Sequence, residues 1–288
     1  MTQNIIFILT EGEHDAAFIY RILKANDIKK NHIAIKDYPF PLNEVFKSGI
    51  SSISIEEMKI GDTRSKFLPS RVMQKDSSII SIYALGGDLQ EQRRIEFIHD
   101  VNALNTHQAD TYQVAEDIKI SILFFFDADN KGINYRIKQV KKELGQSFSG
   151  IDIPENFNNK EIYTIGNIKT GTFVFTEPEK ESGMLEDVLI PLMKEGNEDI
   201  FNKADAFLEI HESTALFKGK VKYKDNIKKE INGKKYDPKK SLIGTVGQLQ
   251  LSGKSNTVCI SDSDYLTDDK IRNNPACTDI YTFIQKVL

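Results

Sequence analysis

Two short segments of this chain carry carboxylates at spacings that suit a divalent cation. One is Thr10-Glu11-Gly12-Glu13-His14-Asp15, and the other is Asp127-Ala128-Asp129-Asn130-Lys131-Gly132. Magnesium takes oxygen ligands, keeps several waters, and is usually held by one or two carboxylates together with substrate phosphates. In an Asp-x-Asp that leaves a strand, alternate residues share a face, so both carboxylates point the same way. A glutamate arriving from a neighbouring strand end would complete the set. An isolated Asp-x-Asp also serves as a loop cap or Asx turn. The joint occurrence of Glu11-Gly12-x-x-Asp15 and Asp127-x-Asp129-x-x-Gly132 is the more specific signal.

The elements around these segments place both at strand ends. Ile5 to Leu9 is a continuous apolar run that reads as a buried parallel strand, broken at Thr10-Glu11-Gly12 and followed by a helix from His14 to Ala25. Ile79 to Leu85 is a second strand, ending at Gly86-Gly87, with an amphipathic helix over Leu89 to Leu104 and a polar loop over 105 to 116. Ile118 to Phe126 is the strongest strand, and a basic amphipathic helix over Tyr135 to Leu144 follows the Asp127 segment. Short strands are expected at Ile162 to Ile165 and Thr172 to Phe175. This alternation implies an α/β fold, a mostly parallel sheet with right-handed crossovers flanked by helices. Ligands of such sheets bind at the carboxyl ends of the strands, where Glu11, Asp127 and Asp129 lie. Lys30 to Asp76 shows no clean period and holds Pro39, Pro41, Gly49, Gly61 and Pro69. Residues 31 to 78 interrupt the unit between the first helix and the second strand, so they are expected to form an excursion outside the sheet near the active face. Beyond Glu181 the chain becomes mainly helical, with a lysine-rich hairpin around Asn232-Gly233 and a last helix from Thr278 to Leu288.

The paired motifs resemble the Toprim domain shared by topoisomerases, bacterial primases, small RNases and the OLD (overcoming lysogenization defect) nucleases. Glu11-Gly12 with Asp15 matches the family's glutamate motif, and Asp127, Asp129 and Gly132 match its aspartate motif. The β-Gly-α unit between them resembles Ile79 to Leu104. The resemblance covers roughly residues 4 to 30 and 79 to 178, and 31 to 78 has no counterpart in the minimal domain. It implies a Toprim core over 1–178 and a helical extension over 179–288 that completes the site and packs with the core as one unit. A topoisomerase needs a tyrosine-bearing domain for which 288 residues leave no room, and a primase needs zinc-binding cysteines. The nuclease branch fits best.

In that branch the resemblance implies one or two Mg²⁺ or Mn²⁺ ions on Glu11, Asp127 and Asp129, with Asp15 and Glu186 as further ligands. Glu11 is open to two roles, ligand or general base. Glu186, in Gly183-Met184-Leu185-Glu186-Asp187, is open to a second reading as a first-turn helix acid favoured by the helix dipole. Lys240, with Lys254 as the other candidate, resembles the family's downstream lysine. Lys131, Lys234, Lys235, Lys239 and Lys254 are candidate substrate contacts. The expected substrate is DNA or RNA, tRNA included. The stand-alone arrangement is similar to the effector subunits of anti-phage systems such as PARIS, which implies a separate ABC-type ATPase as partner. A homodimer is a further expectation. The rival reading is a non-catalytic Toprim-fold module that binds nucleic acid or a partner protein.

Charge is distributed unevenly. The net charge is −4, yet Lys218 to Lys240 contains ten lysines against Asp225, Glu230 and Asp237. Such a run forms either a solvated face or an arm directed at phosphates. Gly247 to Ser255 imitates a phosphate loop but is one residue too long and follows a helical segment, so it is expected to be a plain turn. Asp262-Ser263-Asp264, after the strand-like Val258 to Ile260, is expected to be a cap or turn. The five histidines show no ligand spacing, and His14 alone falls beside the candidate site. Cys259 and Cys277 fit neither a disulfide framework nor a zinc site, which points to reduced thiols and a cytoplasmic setting. No apolar run approaches the ~20 residues of a membrane span, and the N-terminus lacks the features of a signal peptide.

Overall fold

The run QNIIFILT forms strand β1 (Gln3–Thr10), and the chain turns at Gly12 into helix α1 (Glu13–Ala25). Ile6 and Ile8 enter one hydrophobic core, and Ile5, Phe7 and Leu9 enter another. A strand buried on both faces needs an unbroken apolar run, which is why β1 lacks the alternation of a one-sided strand. The computed structural model describes residues 3–51, 68–111, 118–148, 150–211, 221–224, 227–230 and 237–288.

After α1 come β2 (Lys29–Lys30), α2 (Leu42–Ser51), β3 (Arg71–Lys75), β4 (Ser78–Ala84), α3 (Glu91–Thr111) and β5 (Ile118–Asp127). Then follow α4 (Ile133–Ser147), β6 (Ile162–Ile165) and β7 (Ile168–Phe175). These strands form one sheet in the order β2-β3-β4-β1-β5-β7-β6. The four inner strands β4, β1, β5 and β7 are parallel, while β2, β3 and β6 add antiparallel edges. The α/β class and the mostly parallel sheet read from the sequence are those of the molecule. Register sets Thr10 beside Ala84 and Phe125, and Asp127 beside Phe175. The parallel strands therefore end together, and the segments after them share one edge.

The remainder consists of α5 (Leu185–Lys194), α6 (Glu198–His211), a ladder of β8 (Val221–Lys224) and β9 (Ile227–Glu230), α7 (Pro238–Gly247), α8 (Asn256–Asp262), α9 (Asp268–Asn273) and α10 (Pro275–Gln285). Leu189, Ile243, Ile260 and Phe283 from these helices join Phe18 and Ile22 of α1 in a single core. Polar ties reinforce the packing: Arg21 donates to Leu266 O at 2.9 Å and Arg272 to Ala25 O at 2.6 Å. Among the described residues, no helix is long and apolar enough to cross a membrane.

Three expectations need correction. Residues 31 to 78 are not wholly outside the sheet, because β3 pairs with β4 one strand from the edge. Only Met73 of β3 is fully buried, with Val72 packed on the opposite face, so two adjacent apolar residues in a five-residue strand show no readable period. Helix α3 runs on to Thr111 through the stretch expected as polar loop. Val258 to Ile260 is helical, as part of α8, because packing against α1 overrides β-branched propensity. The hairpin strands β8 and β9 flank residues 225–226, while Asn232-Gly233 lies outside the described residues.

Candidate active site at the carboxyl edge of the sheet

Each acid is placed by a local device. Asp15, in the first turn of α1, reaches back so that its Oδ2 accepts from Gly12 N at 2.7 Å, which fixes the turn carrying Glu11. Asp127 ends β5, and its Oδ1 accepts from Leu185 N at 2.7 Å, so it also caps α5. Asp187 accepts from Met184 N at 2.9 Å and steadies the same helix start, which presents Glu186. The loop after β7 is latched onto the Asp127 loop by reciprocal bonds between Asp129 and Gly183, at 2.7 and 3.0 Å. Gly183 has φ 131°, and a Cβ there would fall 2.2 Å from Glu177 N, so only glycine permits the latch. Lys240 lies in the first turn of α7, where Asp237 Oδ1 accepts from its backbone N–H at 3.0 Å.

These devices bring Glu11, Asp15, Asp127, Glu186 and Lys240 to the walls of one cavity of about 450 Å³, with His14 among them. Glu186 is 2% exposed; its Oε1 lies 3.3 Å from His14 Nδ1 and 3.9 Å from Lys240 Nζ. Asp129, Lys131 and Lys239 line a neighbouring cavity of about 420 Å³ instead. There Lys239 pairs with Asp187 and Lys131 with Asp88. Lys254 lies on the exposed turn between α7 and α8 and lines neither cavity. Lys234 and Lys235 lie outside the described residues. The loop imitating a phosphate loop follows helix α7, and Asp262 to Ser263 closes α8.

Sequence reasoning missed three residues. Arg136 of α4, 1% exposed, donates to Asp129 Oδ2 at 2.7 Å and to Asp127 O at 2.6 Å, and also pairs with Asp88. The same guanidinium stands 3.0 Å from Glu11 Oε1, but not in hydrogen-bonding alignment. Behind it, Arg94 of α3 forms a fully buried fork with Glu143, at 2.8 and 2.6 Å, and donates to the carbonyls of Gly86 and Gly87. Asp88 follows that turn. Its place directly after a strand and a Gly-Gly pair was the available signal; nothing local distinguishes Arg136 or Arg94 from other basic helix residues.

Burial, with the charge of neighbouring acids, raises Glu11, Asp15 and Asp127. Burial pushes Asp127 well above the usual range, and the charges of Asp15 and Glu11 add to it. Burial likewise raises Glu11, and Arg136 only partly offsets this. Asp15 is pushed up to about 7, chiefly by burial, against the opposing Gly12 N–H. For Glu186 burial is outweighed by the His14 hydrogen bond and the Lys240 charge, leaving it below the usual value. Buried oxygen donors facing too little positive charge are what a hard divalent cation takes, and Glu11 Oε1 is buried with no hydrogen-bond partner. The donor chemistry therefore fits Mg²⁺ or Mn²⁺. As the side chains stand, no three His, Cys, Asp or Glu groups among the described residues converge tightly enough to hold an ion.

Asp15 gives the metal-free protein a defined pH dependence. Its folded pKa lies above the unfolded value, so the native state binds its proton more tightly than the unfolded chain does. Stability contributed by that proton is full below pH ~4 and is lost as pH rises toward about 7. Denaturant unfolding in EDTA between pH 4 and 8 should show wild type losing stability over this window relative to Asp15→Asn. Parallel curves for the two proteins would contradict the burial of an ionisable Asp15.

None of the curated proteins matches this chain. The crystal structure of hypothetical protein PH0156 from Pyrococcus horikoshii OT3 is similar in fold, with a TM-score of 0.54 and 15% identity over 99% of this chain and 95% of that one. A family model described as "Protein of unknown function (DUF3226)" matches residues 6–270, and the chain belongs to that family.

Proposed function

We propose that this protein is a Toprim-type nuclease, dependent on Mg²⁺ or Mn²⁺, that hydrolyses phosphodiester bonds in DNA or RNA. The observation that supports this most is the gathering of Glu11, Asp15, Asp127 and Glu186 with Lys240 around one cavity at the carboxyl edge of a parallel sheet. A bound ion would activate water and stabilise the displaced oxygen. Glu11, half-buried and raised in pKa, is suited to accept a proton from water or to serve as a ligand. Lys240 supplies positive charge to the phosphate as negative charge builds on it. Lys131 and Lys239 in the neighbouring cavity are placed to hold the adjoining backbone. A separate ATPase would supply any dependence on ATP, as in anti-phage effector systems. The test is incubation of purified protein with plasmid DNA and with total tRNA, with and without Mn²⁺. Metal-dependent cleavage of either is the expected result, and none of either would sink the reading.

Lys131→Ala and Lys239→Ala should weaken nucleic-acid binding in a salt-dependent manner, each lowering the slope of log affinity against log salt by about one. The single-turnover cleavage rate at saturation should stay near that of wild type. Filter binding across a salt series, beside single-turnover assays, checks both points.

One observation favours the rival reading of a non-catalytic binding module. Arg136 already neutralises part of the acidic cluster without any metal. Calorimetric titration with Mn²⁺ separates the two readings, since a pure binding module takes up no ion.

A further inference from the structure

The guanidinium of Arg136 is enclosed on every side. Nε donates to Asp127 O at 2.6 Å, Nη1 to Gln139 Oε1 at 3.0 Å and to Asp88, and Nη2 to Asp129 Oδ2 at 2.7 Å with Glu11 Oε1 3.0 Å away. The Phe126 and Tyr135 rings lie 6.0 Å from its central carbon. An arginine does not lose its proton in proteins, and with its donors engaged at 1% exposure it has no free space to swing into. It is therefore a fixed positive charge between the ends of β1 and β5 and the turn after β4.

That charge divides the acids unequally. Glu11, Asp88 and Asp129 meet Arg136, and Lys131 adds a second cation at Asp88. Asp15, Asp127 and Glu186 line one cavity with Lys240 and His14, and both of those bases stand on Glu186. We propose that Arg136 stands permanently in the place of a second metal ion, so that the site takes a single divalent cation on the side of Asp15, Asp127 and Glu186. Asp129 is then a partner of the arginine and not a metal ligand. An ion beside Asp129 would have to approach a like charge that cannot leave, whereas the other side keeps carboxylates with a net deficit of positive charge. This inference rests on the metal-dependent reading of the site.

Calorimetric titration of the chelator-stripped full chain with Mn²⁺ tests it. Wild type should bind one ion, and Asp129→Asn should bind one with affinity within about twofold, against the tenfold or greater loss that follows disturbance of a metal's ligands. Arg136→Gln should bind two, a change that a merely structural arginine would not produce. Two ions on wild type, a tenfold loss in Asp129→Asn, or a folded Arg136→Gln protein still binding one would each overturn the proposal while leaving the metal-dependent reading intact. If Arg136→Gln does not fold, wild type and Asp129→Asn decide. No binding at all by wild type would overturn the metal-dependent reading and this inference with it.

Discussion

Glu11→Gln and Asp127→Asn should each cut Mn²⁺-dependent cleavage by about a thousandfold or more, because the first removes the group placed to accept a proton from water and the second a charged oxygen donor to the ion. Both carboxylates are raised, chiefly by burial, and then by neighbouring acids: Asp129 and Asp88 act on Glu11, and Asp15 and Glu11 act on Asp127. Neutralising either relieves repulsion in the metal-free protein, so the melting temperature in EDTA should be unchanged or higher. Asparagine suits position 127 because it keeps the oxygen that accepts from Leu185 N. Alanine would also remove the cap of α5, at a cost of about 1 kcal/mol. The double variant should be no worse than either single one, as expected for groups that act as a unit. Single-turnover cleavage with Mn²⁺, beside thermal melts in EDTA, checks this. A folded Glu11→Gln protein that cleaves at the wild-type rate would remove Glu11 from the chemistry.

Arg94→Ala should cost about 3–5 kcal/mol of folding stability, measured by urea unfolding, because it strands Glu143 as an uncompensated charge in the core. Both side chains have no exposure, so solvent does not screen the loss. The site should suffer as well. Arg94 holds the carbonyls of Gly86 and Gly87, and Gly87 is so close to Glu11 that a Cβ there would fall 2.9 Å from Oε2. The double replacement Arg94→Met with Glu143→Leu should recover much of the stability, since apolar residues of similar volume often replace a buried pair at little cost. It should not recover the geometry of the turn, which loses its donor. A stability loss under about 1 kcal/mol for Arg94→Ala would mean that Glu143 finds another partner or reaches water.

The paired carboxylate segments were legible because their signals are local. Each follows an apolar strand directly, and parallel strands in a common sheet carry their ends to one edge. Glu186 and Lys240 were legible only through family resemblance, since a first-turn glutamate and one lysine among many have no local mark. Asp129 illustrates the limit. Its spacing from Asp127 suggested a common ion, yet it has φ 49° and pairs through its backbone with Gly183, while its carboxylate goes to Arg136. An Asp-x-Asp shares a face only while the backbone stays extended, and here it does not.

The sequence by itself determined the doubly buried strands β1 and β5, the turns at Gly12 and Gly86-Gly87, and the carboxyl edge at which acids would gather. Those features follow from periodicity and composition within a few neighbouring residues. Only the tertiary structure decided which acids face one cavity, that two buried arginines lie behind them, and that a latch at Gly183 delivers Glu186 to the site. These depend on contacts such as Arg94 to Glu143 or Asp127 to Leu185, 49 and 58 residues apart in the chain. No local period encodes a pairing at that separation; it is selected by the free energy of burying charge with a partner, which exists only once the sheet and its helices have packed.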